Sequence, residues 1–152
     1  MKNKQIDAEV LLSSLRQRGF RITRLRKLVI GVLAQNHLPL SYNDILRHIG
    51  RFGMHPNKTS IYRELDFLIS QRIVHALEFN ESRKRYELSL DEHHHHHVVC
   101  QSCKSIGEVH DVKALEVHLR KFEKYLTQKF GFRDIAHRLD FFGTCSKCLQ
   151  QE

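Results

Sequence analysis

Two Cys-x-x-Cys pairs, Cys100/Cys103 and Cys145/Cys148, hold all four cysteines of this 152-residue chain. Four thiolates in two such pairs make up a closed tetrahedral zinc site. Ahead of the first pair runs an unbroken block, His93 to His97. Imidazoles joined by a carboxylate form a more exchangeable class of site. It suits Zn2+ in a tetrahedron, and Fe2+ or Mn2+ when further oxygens join. The cysteines could instead form two disulfides. The start, Met1 to Asp7, is polar, and the first apolar stretch is broken by Ser13, Ser14 and Arg16, so no secretory signal is read. No run approaches the ~20 apolar residues of a membrane span. A cytoplasmic protein with no membrane partner is expected, and reduced thiols there favour metal over disulfides. The histidine block lies mid-chain, unlike a purification tag. A histidine-rich linker that binds metal loosely is the blander reading.

These ligands need elements to position them, and charge divides the chain that must supply those elements. Residues 1–90 hold 16 Lys and Arg against 8 Asp and Glu, whereas residues 91–152 hold nine of each. The whole net charge of +8 therefore lies in the half without the cysteines. A basic half suits a polyanion such as DNA, although a soluble basic surface has the same balance. The 41% hydrophobic content suffices for a core, but a second half of about 60 residues is small enough to need a metal or a partner copy.

Periodicity favours DNA. Val10, Leu11, Leu12 and Leu15 predict a short helix ending at Gly19. Thr23 caps a second, carrying Leu25, Leu28, Val29, Val32 and Leu33. Ser41 opens a third, with Asp44 in the capping-box position. A fourth starts around Asn57 to Thr59 and turns Ile61, Leu65, Leu68 and Ile69 inward. The apolar runs 73–79 and 86–90, separated by a polar turn, read as a β-hairpin. Helices followed by a basic-tipped hairpin make a winged helix. The fourth helix is then the recognition helix, offering Lys58, Thr59, Ser60, Tyr62 and Arg63 to a major groove. Lys84 at the hairpin tip, and Arg24 within a cluster with Arg21, Arg26 and Lys27, suit the DNA backbone. The second half reads as strands around Cys100, a helix over 112–130 ended by Gly131, and a half-buried strand over 134–141. On the helix, Leu115, Leu119, Phe122 and Leu126 form one stripe. The fold class is α+β: a winged-helix DNA-binding domain over 1–90 and a small α/β metal-binding dimerisation domain over 91–152. A homodimer is the natural reader of two half-sites.

Four segments carry a family resemblance: Thr59-Ser60-Ile61-Tyr62-Arg63-Glu64-Leu65, Arg85-Tyr86-Glu87-Leu88, the histidine block with Cys100-Gln101-Ser102-Cys103, and Phe142-Gly143-Thr144-Cys145-Ser146-Lys147-Cys148. From about Leu11 to Cys148 the chain resembles the ferric-uptake-regulator (Fur) family of metal-sensing repressors. The resemblance implies a dimeric repressor that binds palindromic operator DNA when metal-loaded. It implies structural zinc on Cys100, Cys103, Cys145 and Cys148, and a regulatory site using Glu87, His95 and His97. His94 and His96 fall on alternate positions and match a further site, with Glu108 and His137, and with Glu116 across a one-residue gap. In an extended segment such neighbours point to opposite sides.

The pattern departs from the family at one ligand. The helix 2–3 loop, where many members carry a regulatory histidine, has Pro39. His37 lies two residues away, and His75 resembles a ligand position of the zinc-sensing branch. That branch usually adds a regulatory cysteine, absent here, which tilts the expected signal slightly to iron over zinc. Two other function classes stay open from sequence. A histidine–carboxylate metal could activate water in a small hydrolase, yet no nucleophile motif or helical His-Glu-x-x-His is present. An architectural DNA-binding protein with structural zinc alone would bind DNA without added metal.

Overall fold

The computed structural model describes residues 7–79, 83–89, 96–109 and 112–150. The chain forms two compact units, Met1–His93 and His94–Glu152. Among the described residues no helix is long and apolar enough to cross a membrane.

The first unit opens with helices α1 (Ala8–Gln17), α2 (Arg24–Gln35), α3 (Tyr42–Gly50) and α4 (Lys58–Ser70). Their starts are fixed by side-chain caps where the sequence places them. Thr23 accepts from the Arg26 amide, and Asn57 from the Ser60 amide. Ser41 and Asp44 close a reciprocal capping box on α3. Strands β2 (Val74–Leu77) and β3 (Arg85–Leu88) pair antiparallel. A two-residue strand, β1 (Leu40–Ser41), adds to the other edge of β3. No periodicity announces so short a strand. Its pairing ties the start of α3 to the hairpin, as a winged helix requires. Leu15, Val29, Ile30, Ile45, Ile49, Ile61, Leu65 and Leu68 form the fully buried centre of one core.

One member of the expected basic cluster has another task. Arg26 is only 8% exposed, and its Nε donates to Glu64 Oε1 at 2.6 Å. Its guanidinium carbon lies 3.7 Å from the Phe67 ring centroid. The pair joins α2 to α4 from inside. Removing one partner strands a buried charge, so Glu64→Ala should cost about 3–5 kcal/mol in chemical denaturation. An unchanged midpoint would show the pair to be dispensable.

The second unit is a three-stranded sheet ordered β5 (Ile106–Val109), β4 (His96–Cys100), β6 (Asp140–Gly143). Strands β4 and β5 are antiparallel, and β4 and β6 are parallel. Helix α5 (Lys113–Phe130) connects β5 to β6, ending at Gly131 with φ of 71°. That left-handed cap suits glycine. A single turn, α6 (Ser146–Leu149), follows β6. Burial does alternate through 135–139 as the sequence predicts, but the hydrogen-bonded ladder begins only at Asp140. The expected apolar stripe on α5 divides. Leu119 and Leu126 are half-buried together with Glu116 and Glu123, while Leu115 and Phe122 are exposed. No described residue of α5 is fully buried.

Candidate metal centres and nucleic-acid interface

Parallel pairing of β4 with β6 explains how cysteines more than forty residues apart meet. Cys100 ends β4 in register with Gly143, two residues before Cys145. Cys103 lies in the turn after β4, Cys145 precedes α6, and Cys148 lies within α6. The four sulfurs lie within 4.8 Å of one another. Cys100–Cys148 and Cys103–Cys145 are 3.9 and 3.7 Å apart. A tetrahedron with Zn–S bonds of ~2.3 Å has edges of about 3.8 Å, so the donor set fits zinc in both kind and spacing. The Cys145 backbone N–H donates to Cys100 Sγ at 3.3 Å. That bond, with further amides, holds the Cys100 thiol down to about 6. Cys148, sharing its sulfur with Cys103 and Cys145, is pushed up to about 12. One thiolate among crowded thiols resists a second, and a divalent cation removes that repulsion.

Alternation along β4 separates the two described histidines of the block. His96 and His97 are each 2% exposed. His96 Nε2 lies 2.8 Å from Glu116 Oε1 on α5. His137 Nε2 is 3.4 Å from the same oxygen, and His137 Nδ1 is 2.8 Å from Glu123 Oε1. The hydrogen bond to Glu123 raises the His137 pKa. His96, Glu116 and His137 therefore offer ligand atoms within 4.8 Å of one another, a mixed nitrogen and oxygen set that suits Zn2+, Fe2+ or Mn2+. His97 is aligned with Glu108 on β5 and Asp140 on β6, and its Nδ1 is 3.6 Å from Asp140 Oδ1. Thus Glu108, expected beside His96 and His137, is placed opposite His97, while Glu116 supplies the cluster's carboxylate. Glu123 beside His137 and Asp140 beside His97 are additions to the set the sequence predicts. The spacing from Glu116 to Glu123, two helical turns, was the available signal for the first. His94 and His95 lie outside the described residues.

In the first unit, His75 on β2 is directly opposite Glu87 on β3. Its Nε2 is 2.8 Å from Ser89 Oγ. His37 is exposed in the loop after α2, and Pro39 is buried there. Lys58, Thr59 and Ser60 form the first turn of α4; Lys58, Thr59 and Arg63 are exposed and Tyr62 is half-buried. Arg24 at the start of α2 is exposed and donates to the Phe52 carbonyl at 3.4 Å. Lys84 lies 3.5 Å from Glu78 across the hairpin.

The ferric uptake regulator family model matches residues 17–142. The ferric uptake regulation protein of Helicobacter pylori is 30% identical over 144 residues, spanning 95% of this chain and 92% of that protein. The zinc uptake regulation protein of Mycobacterium tuberculosis is 33% identical over 132 residues, spanning 86% and 95%. The solved Helicobacter pylori ferric uptake regulator, described as having three functional metal binding sites, superposes with a TM-score of 0.76 at 26% identity over 97% of both chains. With a winged helix and a clustered cysteine quartet in one chain, these likenesses show that the protein belongs to the ferric uptake regulator family of metal-responsive transcriptional regulators.

Proposed function

We propose that the chain is a dimeric repressor that binds a palindromic operator when an exchangeable site on His75, Glu87, His95 and His97 holds metal, with iron favoured over zinc as the signal. The observation that carries this reading is the pairing of His75 with Glu87 across β2 and β3. Directly opposed residues on one sheet face have Cβ atoms about 5 Å apart, close enough to offer nitrogen and oxygen to one ion. The absence of any cysteine beyond the zinc-type quartet leaves a sulfur-free regulatory set, which favours a harder ion. Membership in a family of regulators makes this protein a transcriptional regulator rather than a hydrolase. The exposed side chains Leu115, Val117, Phe122 and Tyr125 on α5 support self-association, since burying them against a second copy removes apolar surface from water.

Titrating the purified protein separately with Fe2+, Mn2+ and Zn2+, while measuring affinity for an operator duplex, tests the reading. Iron should raise affinity at the lowest free concentration. A zinc response at lower free metal reverses the choice of signal, and metal-independent binding removes the sensing role.

Recognition by α4 has its own test. Arg63→Ala should cost about 1–3 kcal/mol on the operator and much less on unrelated duplex. Lys84→Ala should weaken both alike and lower the salt dependence. Operator affinity of Arg63→Ala equal to wild type rules out base reading by that side chain.

A further inference from the structure

Tyr42 and Tyr62 belong to different helices, yet their rings lie parallel, 3° apart in tilt with centroids 4.9 Å apart. Local chemistry fixes both. Ser41 pairs with Arg85 in the sheet and caps α3 through its box with Asp44. Tyr42 is the first residue of α3. Asn57 caps α4, so Tyr62 sits in the second turn of a helix whose start is fixed. Parallel rings at this separation are offset-stacked, the arrangement ring quadrupoles favour. Lys58 Nζ is 5.8 Å from the centroid of the Tyr62 ring. The two tyrosines line a cleft of about 640 Å3 together with Lys58, Arg83 and Lys84. One wall is thus a fixed aromatic pair, and three cations border the same space.

We propose that Tyr42 is a positioning residue for sequence recognition: by stacking on Tyr62 it holds that ring in one orientation for base contact, while the cations of the cleft hold the DNA backbone. The inference rests on the proposed reading of DNA by α4. A tyrosine free to change rotamer on a helix surface must be ordered when the complex forms; one already stacked has lost that freedom beforehand. The benefit falls on the sequence-specific complex, because backbone contacts do not depend on how Tyr62 presents its edge.

The test uses the full-length metal-loaded protein and duplexes that the wild type selects from a random-sequence library. Tyr42→Leu keeps apolar bulk against the core but has no ring to stack, and Tyr42→Phe keeps the ring. Tyr42→Leu should bind the selected duplex about 3- to 10-fold more weakly and a scrambled duplex as wild type does. Tyr42→Phe should restore affinity to within about 2-fold of wild type. Equal affinities of Tyr42→Leu and wild type for the selected duplex overturn the inference while Arg63→Ala still loses affinity. A parallel loss on the scrambled duplex, or a failure of Tyr42→Phe to rescue, overturns it as well, because the role is then general binding or folding. Should the wild type enrich no sequence at all, the reading by α4 itself fails. Melting curves of both variants that match wild type separate loss of positioning from loss of fold.

Discussion

Cys145→Ser is expected to release the cysteine-bound zinc and unfold the second unit while the first stays folded. The ladder of β4 with β6 and the start of α6 meet at the sulfurs, so one lost ligand opens the clip that joins them. The unit has little else to rely on. Among its described residues only Val99 and Cys100 are buried hydrophobics, and α5 buries none. Structural zinc contributes roughly 10–16 kcal/mol in small domains at neutral pH, far more than so sparse a core. The main apolar cluster, by contrast, draws only on residues of the first unit, from Ala8 to Leu88. Metal analysis should therefore show one zinc fewer per chain. Hydrogen exchange should lose protection at β4 and β6 and keep it at α2 and α4. A variant that retains its zinc and its melting profile would falsify the assignment of the quartet.

What could be read from the chain beforehand follows the range of the interactions involved. Caps at Thr23, Ser41 and Asn57 depend on contacts within three residues, so sequence spacing was enough to place three helix starts. The cysteine quartet was legible because two short-range pairs carry its chemistry, even though β4 and β6 bring them together over a long range. Ladder registers left less trace. Glu108 and Glu116 both looked suitable for the histidines, and only the alignment of His97 with Glu108 separates their places. By sequence Arg26 is one more surface cation, because its partner, Glu64, lies thirty-eight residues away. The two-residue β1 has no pattern of its own, since its extended form is imposed by pairing with β3. Stacking of Tyr42 on Tyr62 likewise needs two helices set against each other, and no spacing within one helix encodes it.

Replacing His95 and His97 together by Ala is expected to abolish metal-stimulated DNA binding without removing the cysteine-bound zinc. A metal can shift a conformational equilibrium only by the difference in its affinity for the two states. That difference commonly corresponds to about a 5- to 150-fold change in the partner's affinity. Two imidazoles removed from a four-ligand set leave His75 and Glu87 on the hairpin, too few ligands to prefer one state strongly. DNA affinity should then sit at its metal-free level across the whole titration. The zinc quartet shares no ligand with these residues, so zinc content and oligomeric state should match wild type. They are also the control for His97, which is buried in β4 beside Asp140. His75→Ala should weaken the response, because it leaves Glu87 and two imidazoles, while exposed His37 should matter less. A normal metal response from the double variant moves sensing to His96 and His137, which already share Glu116, with His94 as the remaining imidazole of the block. Glu116→Gln would then be the variant that loses it.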